Sequence, residues 1–155
     1  MTQDSVEIQG IFGRIFSPFT EVFYLLFRLG FAFIVGLHGF QKAFLLWGFP
    51  AAANPDGMGT FVDIAAWVEI ISAFLIGLGI LTRLGAGAIV VTMIVAYFSV
   101  HANNGLWPHQ FPGEGGFAAH GGEVPMLWFL IAGIIGILGS RKWGIERHFF
   151  GKELL

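Results

Sequence analysis

The chain has 155 residues, of which 55% are hydrophobic and only 12% charged, with a mean hydropathy of +0.75. That is too apolar for a soluble domain of this size and places the chain among membrane proteins, as one compact unit. A formal net charge of −2 argues against nucleic acid as a partner, and the absence of cysteine excludes disulfides, thiolate chemistry and cysteine-ligated metals or clusters.

Residues 1–18 are expected to form an N-terminal interfacial segment. Asp4 and Glu7 with no early Lys or Arg make the wrong start for a cleaved signal peptide, so the first span is expected to remain in the protein. Ile8, Ile11, Phe12, Ile15 and Phe16 follow helical spacing, which predicts a short helix lying on the membrane surface.

Residues 19–142 are read as a four-helix transmembrane domain. The predicted spans are Phe19–Leu37, Phe61–Leu81, Leu84–Val100 and Val124–Gly139. The second and third meet at Thr82–Arg83 as a helical hairpin. Pro125 fits the first turn of the fourth, where a missing N–H does no harm. Gly36 and Gly39 on the first helix, and Gly133, Gly136 and Gly139 on the last, are expected to permit close helix packing. Residues 143–155 form a cytoplasmic C-terminal tail, anchored by Trp143, Phe149 and Phe150. The fold class is thus an all-α membrane bundle with a short interfacial helix.

The basic residues orient this bundle. Arg14, Arg83, Arg141, Lys142, Arg147 and Lys152 fall on one side of a four-span chain and Lys42 on the other. The bias toward positive cytoplasmic flanks puts both termini inside a bacterial inner membrane, with segments 38–60 and 101–123 outside.

Two charged residues lie deep inside the apolar spans, away from Glu21 and Asp63 near their ends. Arg28 sits in the first and Glu69 in the second. A charge at mid-bilayer costs about 2.5–3.5 kcal/mol even on the lenient insertion scale, so each needs a partner, a cavity or a ligand. Counting 1.5 Å per residue from the expected helix ends gives them similar depths, and the two are expected to meet. Such a pair either fixes helix register or makes Glu69 a proton carrier or a partner for a quinone carbonyl.

Other polar groups gather on the outer side: His38, Gln41 and Lys42 from the first helix, Asp63 from the second, Tyr97, Ser99 and His101 from the third, and His120 with Glu123 before and at the start of the fourth. Arg28, His38, Lys42, Asp63, Glu69, Tyr97, His101, His120 and Glu123 are the candidate ligand-binding or proton-relay residues. His38, His101, His120 and Glu123 have the chemistry of a zinc, iron or copper site, but not the spacing of a metal motif, and hydrogen bonding to loop carbonyls or water serves them as well. His109 and His148 are read as interfacial hydrogen-bonding residues. The segment 101–123 is long, with Trp107, Phe111 and Phe117 placed to enter the lipid interface or to cover a ring-shaped ligand.

The segments LLFRLGFAFIVGLHGFQKAF (25–44), WVEIISAFLIGLGILTRLGA (67–86), HANNG (101–105) and GGEVPMLWFLIAGIIGILGSRKWGIER (121–147) together resemble the DoxX family of small bacterial membrane proteins. Arg28, Gly39, Lys42, Glu69, Gly79, Thr82, Arg83 and Glu123 occupy the family's pattern. The tail departs from the Gly-Pro-Gly and Ser-Leu-Asp endings common among members. The resemblance implies a four-helix membrane bundle associated with redox systems. A related DoxD-type protein is the membrane subunit of an archaeal thiosulfate:quinone oxidoreductase.

The resulting expectation is an accessory subunit of a membrane redox complex that contacts quinone at the outer end of the bundle and is not catalytic alone. The alternatives are a structural or assembly protein and, more distantly, a small-solute transporter. No intrinsic cofactor is expected. Membrane lipids and other redox or membrane subunits are the expected partners.

Overall fold

The computed structural model describes residues 11–47, 59–102, 105–106 and 121–154. All regular structure among them is helical. The order is α1 (Ile11–Phe16), a 3-10 turn (Ser17–Phe19), α2 (Thr20–Phe44), α3 (Gly59–Leu78), α4 (Thr82–Ala96), a π-helical extension (Tyr97–His101), α5 (Glu123–Leu138), a 3-10 turn (Arg141–Trp143) and α6 (Ile145–Phe150).

Three helical runs, Ile11–Phe44, Phe61–Leu78 and Thr82–His101, are long and apolar enough to cross a membrane. The fourth, α5, is apolar but shorter at 16 residues. By helix length and hydropathy this is a multi-pass membrane protein of four-helix type. Its outer surface agrees: Phe33, Phe61, Val91, Phe98 and Ile137 are all well exposed, as lipid-facing side chains are. The short helix expected near the N-terminus is α1, joined to α2 by the turn at Pro18, with Ile11, Phe12, Ile15 and Phe16 exposed. The part of that expectation resting on residues 1–10 lies outside the described residues.

The helices pack in chain order, α2 on α3, α3 on α4 and α4 on α5. Small residues govern the first of these contacts. Ala32 faces Gly77, Gly36 faces Ala73, and Gly39 faces Ala66 and Ile70, a ladder expected of antiparallel neighbours. A Cβ placed on Gly39 would stand 2.8 Å from the Ala66 carbonyl oxygen, so the two backbones touch there. The remaining seam, α2 against α5, is filled by large side chains instead. The Trp128 ring meets Phe31 edge-on at 6.0 Å and His38 edge-on at 4.8 Å. Phe31, Ala32, Val35, Ile76, Ala86, Ile89, Met93, Trp128, Ala132 and Ile135 form the core.

Three expectations change. The first span does not stop at Leu37; α2 continues to Phe44 because nothing between His38 and Phe44 breaks a helix. The hairpin turn lies at 79–81, ahead of Thr82, where Gly79 and Leu81 both adopt left-handed backbone (φ 71° and 49°). The glycines of the last helix do not share one packing face: Gly136 meets Ala86, Gly133 has open space, and Gly139 ends the helix at φ 69°.

Candidate functional site

Glu69 lies in the middle of α3 with Ala66 one turn before it and Ile70 beside it, the same residues that receive Gly39. Gly39 therefore brings α2 close enough for Lys42, one turn later, to reach Glu69. Side chains on a helix lean toward its N-terminus, so Lys42 points back into the bundle rather than off the helix end. Its Nζ donates to Glu69 Oε1 at 2.5 Å. The Glu69 side chain is 0% exposed and that of Lys42 18%, so the carboxylate is sealed while the ammonium stays reachable. Glu69 Oε2 is buried without a hydrogen-bond partner among the described residues.

His38 is one turn before Lys42 on the same face of α2. It abuts Trp128 and, with Ile34, Leu37, Gln41 and Trp47, lines an open groove of about 260 Å³ on the side of α2. The chain after α2 is bent by two non-glycine residues in left-handed backbone, Leu45 (φ 52°) and Trp47 (φ 50°). Strain of this kind costs about 1–3 kcal/mol per residue and concentrates at functional sites. Here it sets Trp47 beside His38 and Gln41.

Tyr97 and His101 stand on the π-helical extension of α4, a backbone form frequent at functional positions. Gly122, just before α5, lies flat under the Tyr97 ring; a Cβ on it would come 2.3 Å from that ring. Its N–H donates to the Gly105 carbonyl at 2.8 Å, which ties the two ends of segment 105–122 together. His101 and Glu123 also have partners of their own.

The Arg28–Glu69 pair expected from the sequence is not formed. Lys42 takes Glu69, and Arg28 lies 14 residues earlier on the same helix, about 21 Å away along the axis. Arg28 is fully buried and donates to the backbone carbonyls of Ser140 at 2.9 Å and Trp143 at 3.0 Å. Those carbonyls follow the C-terminus of α5, where unpaired oxygens and the helix dipole favour a cation. Tyr24 donates to the Gly139 carbonyl at 2.7 Å, and Arg83 to those of Gly136 and Ile137 at 3.0 and 2.8 Å. Three side chains from two helices thus cap α5.

Asp63 does not converge with Glu69 either. Six residues at about 100° each turn it to a different face, and it is exposed. His120, His109, Trp107, Phe111 and Phe117 lie outside the described residues. Among the described residues no three His, Asp or Glu side chains stand close enough to hold a metal ion. Of the sequence candidates, Lys42 and Glu69 are brought together, His38 is beside them, and Arg28 belongs to the opposite end.

That opposite end holds polar structure that sequence reasoning missed. Glu146 is buried and its Oε2 accepts from the backbone N–H of Leu81 at 3.2 Å and of Leu154 at 3.3 Å. Glu153 accepts from Ser140 Oγ, from the Arg141 N–H and from Arg83. Arg141 pairs with Glu21. The tail is therefore folded onto the bundle, not a separate appendage. These arginines, which the sequence reading used to orient the bundle or to pair with Glu69, are internal ties. Gly79, whose missing Cβ leaves room for the Arg28 guanidinium and for Gly144, was the one signal in the sequence.

No curated protein and no solved structure matches this chain. The DoxX family profile matches residues 23–102, just over half of the 155, running from the first turn of α2 through the π-helical end of α4 and including Arg28, Lys42 and Glu69. The resemblance drawn from the sequence extended further, to residue 147, but the matched portion contains the paired helices and their charges, and the chain belongs to the DoxX family.

Proposed function

We propose that this protein is an accessory subunit of a membrane redox complex, and that the end of the bundle holding Lys42 and Glu69 offers a hydrogen-bonding site to a quinone. The observation that carries this reading is the half-satisfied Glu69: one oxygen on Lys42 and the other, also buried, without a partner among the described residues. A buried carboxylate oxygen with spare capacity is costly unless a donor arrives, and in its protonated form the same group donates to a carbonyl.

A quinone matches those needs. Its ring is flat and apolar enough to enter from lipid; its carbonyls accept from Glu69 when that carboxyl is protonated, and the hydroxyls of the reduced quinol donate to Glu69 when it is ionised. The groove beside His38, with the ring of Trp47 and the amide of Gln41 on its walls, opens on the side of α2. His38 lines that groove one turn before Lys42 on α2, so the path from the groove to the enclosed Glu69 runs by way of these two side chains. The chain brings no cysteine for an iron–sulfur cluster, so the electrons come from a partner subunit.

The test is titration of the purified protein with a short-chain quinone, alone and with its co-purifying partners. Glu69→Gln and His38→Ala are expected to weaken binding by roughly tenfold each, the loss of one hydrogen bond to a charged group or its equivalent. Unchanged binding in both variants, or no binding in the partner complex, rejects the quinone site. A second reading, a structural or assembly role, is favoured by the Gly39 contact, which makes the same ion pair a register lock between α2 and α3.

A further inference from the structure

Apart from Arg14, which is exposed on α1, the basic residues of the chain divide into two groups. Arg28, Arg83 and Arg141 are tied to carbonyls or carboxylates at one end of the bundle, and Lys42 to Glu69 at the other. Lys142, Arg147 and Lys152, in the turn and tail around α6, are exposed, and no carboxylate among the described residues lies within ion-pair distance of them. The acidic residues of the tail are Glu146 and Glu153, and both are turned inward, used by backbone N–H groups and by Arg83. The tail is thus sorted by charge, acids in and bases out.

Aromatic side chains share the outward face. Phe149 is 75% exposed, Phe150 and Trp143 are exposed as well, and the Lys142 ammonium lies over the Trp143 ring at 5.5 Å. Aromatic rings and cations in one short segment suit the headgroup level of a bilayer. The two inward carboxylates matter here because they hold the segment against the helix ends, fixing the depth of its cations relative to the spans.

We infer that this tail face is a binding surface for anionic phospholipid headgroups, with Lys142, Arg147 and Lys152 as the phosphate-facing cations. The occupant is the lipid of the surrounding membrane, argued from charge complementarity: three cations with no carboxylate partner among the described residues, beside exposed rings, on a protein whose body is already in that membrane. This surface is at the opposite end from Lys42 and Glu69, so it stands or falls independently of the quinone reading.

The experiment uses the full chain in neutral detergent, titrated with phosphatidylglycerol or phosphatidylcholine and read by native mass spectrometry for retained lipid and by thermal unfolding. The wild-type protein is expected to retain phosphatidylglycerol in preference, to gain melting temperature from it, and to lose the preference as salt is raised. The triple variant Lys142→Gln, Arg147→Gln, Lys152→Gln is expected to reduce that preference by roughly tenfold or more while melting as wild type in phosphatidylcholine, since these side chains are exposed. Arg147→Gln alone should give a partial loss, which keeps the test open should the triple variant fold poorly. A wild-type protein with no preference for the anionic lipid, or variants that keep it, overturns the inference. So does an equal thermal gain from inorganic phosphate, which would make the occupant a free anion.

Discussion

Lys42 and Glu69 form the contact on which most of the reading turns. If the pair is a true buried ion pair, Lys42→Met leaves a carboxylate in the bundle without compensation. Breaking one partner of such a pair typically costs about 3–5 kcal/mol, whereas removing both together costs far less. The expected outcome is that Lys42→Met and Glu69→Gln each lower the unfolding temperature in detergent, and that the double variant recovers part of the loss. The coupling should exceed about 1 kcal/mol in a double-mutant cycle. Additive losses would mean that the two side chains do not depend on one another. Arg28→Met combined with Glu69→Gln should be additive, because Arg28 is held by the carbonyls of Ser140 and Trp143 at the far end.

The same pair shows where sequence reading stops. Both charges were legible as buried, because each interrupts an apolar run, and both are fully buried. Their partners were not. The expected depths assumed that the first helix ended near His38, and its true end at Phe44 adds six residues, about 9 Å. A long side chain that reaches back down its helix adds several ångströms more. Glu146 and Glu153 were read only as part of the cytoplasmic C-terminal tail, and nothing in their spacing shows that they accept from backbone N–H groups of Leu81 and Arg141.

Among elements, the contact of α2 with α3 depends on glycine more than on any apolar side chain. At Gly39 the atoms that a Cβ would strike are the Ala66 carbonyl oxygen and the Ile70 backbone nitrogen, at 2.8 and 2.9 Å, and backbone atoms cannot swing aside. Gly39→Ala is therefore expected to push the helices apart and destabilise the bundle by about 1–3 kcal/mol, the usual range for overpacking. Gly30→Ala is the matched control on the same helix. Nothing lies within 4 Å of its added Cβ, so the helix-forming advantage of alanine, up to about 1 kcal/mol, should appear as a neutral or slightly stabilising change. Melting curves of the two variants with opposite signs would confirm the crossing point; equal behaviour would place the close approach elsewhere. The four helices themselves were legible from hydropathy, since a span of this length leaves a continuous apolar signal. The π-helical end of α4 was not, because one extra residue in a turn leaves no periodic trace in so short a segment.

At the scale of the whole molecule, the bundle has two unlike ends. One carries Lys42 with Glu69, Tyr97 and His101. The other carries Arg83, Arg141, the tail and the capped end of α5, with Lys142, Arg147 and Lys152 facing outward. Six of the eight basic residues flank the spans on the second side and only Lys42 flanks the first, Arg28 being buried within α2. Positive flanks remain on the cytoplasmic side during insertion, so the tail end is expected to face the cytoplasm and the Lys42–Glu69 end the exterior. The chain has no cysteine to interfere with a labelling test. Leu106→Cys and Lys152→Cys both introduce a thiol at an exposed position on opposite ends. In intact cells an impermeant maleimide should modify the first and spare the second, and permeabilised cells should show both modified. The reverse pattern would turn the protein over. It would put the half-satisfied Glu69 at the cytoplasmic side and assign the tail to the outer leaflet, where the choice of headgroups differs.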